Sequence, residues 1–227
     1  MEKGNAWMKS IIILLAGALS APQVTQAQGT VTYLSNLDQP SAGSRAVGSD
    51  SWLAMTFRTG TNSAGYSFDS IQLRMADALG NPSGFTAMIY DAAPVVGGSP
   101  PGSSLGTLNG SLEPVASGIY TYSPASSLTL SPHTPYHIVL TAGTPVADGA
   151  YEWSLAGGNS YNPRDGWAGL AYVWTSSDGS QWRATSGYLQ LAINATAVPE
   201  PSTLALLVLG GGLLVWRRQK VKPFDTA

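Results

Sequence analysis

The sequence predicts an all-β ectodomain: a two-sheet antiparallel β-sandwich, jelly-roll-like, between an N-terminal signal helix and a short C-terminal hydrophobic helix. Three observations predict it. Apolar and polar residues alternate in short runs. Gly, Pro, Asn and Asp punctuate those runs. No 3.6-residue period occurs outside the two ends of the chain.

The elements follow in chain order. Lys3 and Lys9 flank the start of the apolar run Ile11–Leu19, which is too short to span a bilayer. Thr25-Gln26-Ala27 offers a small-x-small cleavage site. Residues 1–27 therefore read as a signal peptide for the Sec translocon and signal peptidase, with Gln28 first in the mature chain. A cut after Ala21 would change little.

The strand runs come next. Leu53, Met55 and Phe57 alternate with Trp52, Ala54 and Thr56. Ile71, Leu73 and Met75 alternate with Gln72 and Arg74. The same pattern holds at Phe85-Ala87-Ile89, Tyr136-Ile138-Leu140, Tyr151-Trp153-Leu155 and Leu189-Leu191-Ile193. A period of two puts one set of side chains on one sheet face, so each run reads as a half-buried antiparallel strand. The predicted core is Leu53, Met55, Phe57, Ile71, Leu73, Ile89, Ile138, Leu140, Trp153, Leu191 and Ile193. Between the runs lie the turn formers Gly80-Asn81-Pro82 and residues 97–102. Asp148-Gly149 and Asp178-Gly179 suit tight hairpins.

Composition narrows the function of residues 28–197, one domain by size. The segment has no lysine. Its five arginines face eight aspartates and two glutamates, a net charge of −5. Nucleic acid and other polyanions are poor partners for such a surface. Cysteine is absent, which excludes disulfides, thiol catalysis and Cys-ligated metals.

The C-terminal residues carry the most specific pattern. Val198, Pro199, Glu200 and Pro201 precede the apolar run Leu204–Trp216, and Arg217, Arg218 and Lys220 follow as a basic stop. Thirteen residues of helix rise about 20 Å, short of the roughly 30 Å hydrocarbon core. Gly210-Gly211-Gly212 weakens that helix further. The cations hold the C-terminus in the cytoplasm. Pro199 and Pro201 keep the motif extended at the membrane face. The plainer reading is an ordinary short anchor. The physics favours a temporary one, lost from the mature protein.

Residues 198–222 resemble the PEP-CTERM sorting signal of Gram-negative bacteria, and residues 223–227 form a tail. The resemblance implies exosortase, a membrane transpeptidase, as processing partner. It also implies export to the envelope, surface or extracellular matrix of a Gram-negative host that makes exopolysaccharide or biofilm. Membrane contact through the C-terminal helix would be transient. A second resemblance spans most of residues 40–195. Arg45–Phe57, Ile71–Ala76, Leu128–Gly143, Tyr151–Leu155 and residues 166–182 look like a choice-of-anchor domain of the R type. It implies a surface β domain and brings no activity with it.

Few residues suggest chemistry. His133 and His137 are four apart, as on a metal-binding helix, but Pro132 and Pro135 forbid that helix. They read as a loop histidine and an outward strand histidine, so neither metal nor cofactor is expected. No Gly-x-Ser-x-Gly elbow or phosphate loop occurs. Glycoside hydrolysis would need two placed carboxylates. Glu152 faces outward between Tyr151 and Trp153, with Asp148, Asp165 and Glu113 as further acids, but most aspartates sit in turn contexts. Calcium in aspartate-bearing loops lacks a dense Asp-x-Asp run.

Aromatics crowd residues 151–188. Most should fill the core. Trp167, after Asp165-Gly166, and Trp182, after Asp178-Gly179, are expected on loops and are the candidate glycan-binding residues. No catalytic residue is assigned. Three function classes remain: a non-catalytic envelope or matrix domain that gives surface structure or binds polysaccharide, a secreted hydrolase of that exopolysaccharide, and a protein-binding adhesin.

Overall fold

A computed structural model describes residues 29–94, 99–158 and 160–200. The signal peptide, Pro201, the hydrophobic helix and the basic stop at Arg217, Arg218 and Lys220 lie outside the described residues. Within them the chain is all-β and antiparallel, with thirteen strands.

The first sheet is organised on β4 (Tyr66–Gly80), a fifteen-residue strand. One edge of its N-terminal half pairs with β13 (Leu191–Ala197), and β13 pairs in turn with β1 (Val31–Ser35). Beyond β13, β4 pairs with β10 (Gly149–Ala156), which carries β2 (Ser41–Val47). The other edge of β4 holds β7 (Gly118–Pro124) and the two-residue β8 (Thr129–Leu130). The second sheet runs β6 (Pro101–Asn109), β5 (Thr86–Ala92), β9 (Pro135–Thr141), β3 (Trp52–Arg58), β11 (Ala168–Ser176), β12 (Arg183–Ser186).

The two sheets enclose one core, and β6 and β7 join them at Leu108↔Pro124 and Asn109↔Ser123. The expected sandwich is therefore one continuous sheet path curled over into a half-barrel. All eleven predicted core residues are at most 2% exposed. Register explains their convergence. Ile89, Ile138 and Met55 lie side by side across β5, β9 and β3, and Ala87, Leu140 and Leu53 form the next row. Each buried large aliphatic contributes about 1.5–3 kcal/mol of transfer free energy.

Two features depart from simple alternation. In β4 the buried positions are Tyr66, Phe68, Ile71, Leu73 and Met75, so the phase slips by one between Phe68 and Ile71. The slip is a bulge: Ser70 pairs with Asn194 and Phe68 with Ala195, leaving Asp69 unmatched. The Asp69 carboxylate accepts from the Thr30 hydroxyl at 2.8 Å and the Thr196 hydroxyl at 2.7 Å. The second departure concerns turns. Asp178-Gly179 lies in the β11–β12 hairpin, with Gly179 at φ +75°, but six residues (177–182) separate the strands and the turn is not the tight one expected. Asp148-Gly149 does not form a hairpin, because it carries the chain from β9 in one sheet to β10 in the other. There Gly149 is needed for close approach, since a Cβ would lie 2.8 Å from the Asn81 and Pro82 nitrogens.

Truncating Leu73 or Ile138 to alanine should cost about 2–5 kcal/mol, read by urea unfolding of the mature protein.

Candidate functional site

The outer face of the second sheet is unusually apolar. Positions between the core-facing ones bring Trp52, Ala54 and Thr56 of β3 beside Met88 and Tyr90 of β5, His137 and Val139 of β9, and Trp174 of β11. Ala54, Met88, Val139 and Trp174 form a second buried cluster, with half-buried Trp52, Tyr90 and Trp182 packed against it. Tyr172 shares the strand face of Trp174 and is 53% exposed.

A polar chain runs through this cluster. The Trp174 indole N–H donates to the Thr56 hydroxyl at 3.0 Å, and that oxygen lies 3.0 Å from His137 Nδ1. With Thr56 accepting from Trp174, its own hydroxyl proton is best used on Nδ1, which places the ring proton on Nε2. Nε2 is buried, and among the described residues no partner meets it in full hydrogen-bond geometry. His137 is on the outer face that alternation assigns it, but it is fully buried, so the expectation of an outward histidine in solvent does not hold. Burial pushes its pKa down to about 4, against weaker upward pulls from the Ser99 backbone and Asp91. His133 is an exposed loop residue with φ +51°.

A polar groove of about 500 Å³ lies at the β11–β12 turn, lined by Asp50, Thr175, Asp178, Gln181 and Arg183 among others, and the register puts Thr175 and Arg183 on the face of Val173 rather than that of Trp174. The Asp178 carboxylate is committed to its own turn. It accepts from the backbone N–H groups of Ser180 and Gln181 and from the Ser176 hydroxyl. The Ser180 backbone N–H contributes most to holding its pKa at about 2, with the Ser180 side chain, Gln181 and Ser176 adding to it. Glu152 takes the face opposite core-facing Tyr151 and Trp153, as alternation assigns it, but it lies between Ala46 and Ala76 on the neighbouring strands and is only 7% exposed. Among the described residues no three His, Asp or Glu side chains gather as a metal would require.

Trp167 is a correction. It is 2% exposed, not a surface loop residue. Its ring stacks on Tyr33 at 4.9 Å and Phe57 at 5.8 Å, and meets Tyr66 edge-on at 5.0 Å. The turn before it folds the indole inward: Asp165 and Gly166 have φ of 49° and 78°, and the Trp167 N–H donates to Arg164 O at 2.8 Å. Trp182 is half-buried against the outer cluster and keeps an accessible side.

The most defined arrangement was not legible in the sequence. Beyond β13 the chain stays bound to the domain through residues 198–200. The Val198 N–H donates to Gly65 O at 3.0 Å, and Asn62 Nδ2 donates to Val198 O at 2.9 Å. Glu200 Oε1 accepts from the Ser63 hydroxyl at 2.9 Å and the Ser63 N–H at 3.2 Å. Asn62 also braces its own loop through Gly65 O at 2.8 Å and the Ala64 N–H at 3.2 Å. A groove of about 430 Å³ lies here, lined by Tyr33, Thr61, Asn62, Tyr66, Asp165 and residues 197–200. Its Tyr33 and Tyr66 are the rings that pack on Trp167.

Comparison with known proteins agrees with the tail. The PEP-CTERM protein-sorting motif matches residues 197–219. The chain carries this motif, which marks an exported protein of the cell envelope or surface that exosortase processes. The match covers the tail alone, and the choice-of-anchor likeness of residues 40–195 rests on its sequence motifs. No curated protein matches the chain.

Two outcomes are expected. Trp167→Ala should cost about 3–5 kcal/mol in urea unfolding, as loss of a core aromatic does, whereas Trp182→Ala should cost about 1 kcal/mol. His137 should make the fold acid-sensitive. Its folded pKa of about 4 lies below the ordinary histidine value of 6.5, so the unfolded chain takes the proton first. The neutral-ring contribution is complete above pH 6.5 and declines as pH falls towards about 4, by about 3 kcal/mol in total. Urea midpoints across that range should flatten in His137→Gln relative to the parent.

Proposed function

We propose that the ectodomain is a non-catalytic surface domain that binds polysaccharide through the outer face of the second sheet. The observation that carries this reading is the aromatic patch of Trp52, Tyr172 and Trp182 on that outer face. Aromatic faces stack on the apolar faces of sugar rings, and planar polar side chains beside them bond the ring hydroxyls. Trp167 has no part in this site. The net charge of −5 suits a neutral glycan better than a strongly anionic one.

The hydrolase reading finds less support. Asp178 is held ionised by its turn and cannot serve as general acid near neutral pH. His137 is buried and spends Nδ1 on Thr56. The domain's likeness to choice-of-anchor ectodomains supports a surface role in the envelope or matrix of a Gram-negative, exopolysaccharide-producing cell.

The mature protein should retain glycans on an array or in affinity gels containing the host exopolysaccharide. Trp182→Ala and Tyr172→Ala should each weaken that binding roughly 3- to 10-fold while costing no more than about 1 kcal/mol of stability. Retention unaffected by both would refute the assignment of the face. New reducing ends released from the polysaccharide would refute the non-catalytic role.

A further inference from the structure

We infer that the folded ectodomain latches its own sorting motif, and that Ser63 and Asn62 are positioning residues that set how readily exosortase gains it. An extended peptide is recognised through backbone N–H and C=O groups and through pockets for its side chains. In this chain those groups are already engaged. The Val198 N–H and C=O are bonded to Gly65 and Asn62, and one carboxylate oxygen of Glu200 takes both donors of Ser63. Glu200 is the only charged residue of the Val-Pro-Glu-Pro stretch, so it is the natural handle for recognition.

The latch is held from behind. The loop that supplies Asn62 and Ser63 follows Gly60, where a Cβ would lie 2.0 Å from Asp165 O. Thr61 donates to that same carbonyl at 3.3 Å. The Tyr66 hydroxyl accepts from the Asn62 N–H at 3.1 Å, and the Tyr66 ring packs edge-on against Trp167. The loop is thus fixed to the core, and the motif is fixed to the loop. Pro199 and Pro201 donate no N–H, so the stretch has few other bonds to lose on release.

There is also no slack. Strand β13 ends at Ala197, two residues before Pro199. An enzyme closing over Pro199 and Glu200 meets the domain at once, in the groove between Thr61, Asp165 and Glu200. The motif must leave the latch before it enters an active site. Apparent affinity then falls in proportion to the fraction of chains with the latch open.

Pulse-chase of the full chain in cells carrying the sorting enzyme reads the ratio of precursor to mature form. Ser63→Ala removes the hydroxyl donor from an exposed loop and leaves the motif intact. It should speed conversion about fivefold, the open population gained when one solvent-exposed hydrogen bond is lost. Ser63→Thr keeps the hydroxyl and should convert at the parent rate. Amide exchange of the precursor in micelles supplies a second reading: the Ser63 and Val198 N–H groups should be protected in the parent, and Ser63→Ala should expose Val198. Conversion of Ser63→Ala at or below the parent rate, or unprotected Ser63 and Val198 amides in the parent, would overturn the latch.

Discussion

The structure depends on the way β4 is built. This one strand carries neighbours on both edges of the first sheet, and its buried residues extend from Tyr66 to Met75. A perfectly regular strand could not bury them all, because side chains alternate with a period of two. The bulge at Asp69 resolves the conflict. It lets Tyr66 and Phe68 face the same core as Ile71, Leu73 and Met75. The unmatched residue is an aspartate, and two threonine hydroxyls satisfy its carboxylate. Without that slip Tyr66 would face solvent. The aromatic cluster around Trp167 would then lose its edge-on partner, and the 60–65 loop its tether.

The second organising device is a pair of buried amides. Asn36 donates to Leu189 O at 3.2 Å and accepts from the Leu191 N–H at 2.8 Å. Gln190 donates to Gln39 O at 2.7 Å, and the Trp153 indole donates to Gln190 O at 3.0 Å. The β1–β2 connection, β13 and β10 are thereby joined where the ladder alone would leave polar groups dry. In a chain without disulfides, such bonds fix register at a place where hydrophobic packing is non-directional.

Alternation made the core legible. Leu53, Met55, Phe57, Ile138 and Leu140 are set by a short-range rule that acts within each strand, and the fold follows it. What escaped the sequence was long-range. Trp167 follows a turn that looks like a surface loop, but the left-handed Asp165 returns its ring to the core. His137 sits on the outer face as the period demands, yet that face carries its own apolar cluster. A strand pattern shows which face a residue takes and not what lies on that face. The contacts of Ser63 with Glu200 span 137 positions and leave no mark in local composition.

The pairing of β1 with β13 has a consequence for the order of events during export. Val31 lies opposite Ala195, so the two ends of the ectodomain share one pole. The strand nearest the C-terminal signal is not an edge strand, because it lies between β1 and β4. A chain threaded through a membrane channel from its N-terminus delivers β13 last. Until that segment emerges, β1 has no partner and β4 keeps an open edge over Tyr66–Leu73. The first sheet can therefore close only when translocation of the domain is all but finished. The β1–β13 ladder then forms between residues more than 150 positions apart, and the β4–β13 ladder between residues more than 110 apart, a slow class of contact. An exposed strand edge in that interval is an aggregation hazard, so the outer face of the membrane, just after export, is where this protein is most vulnerable.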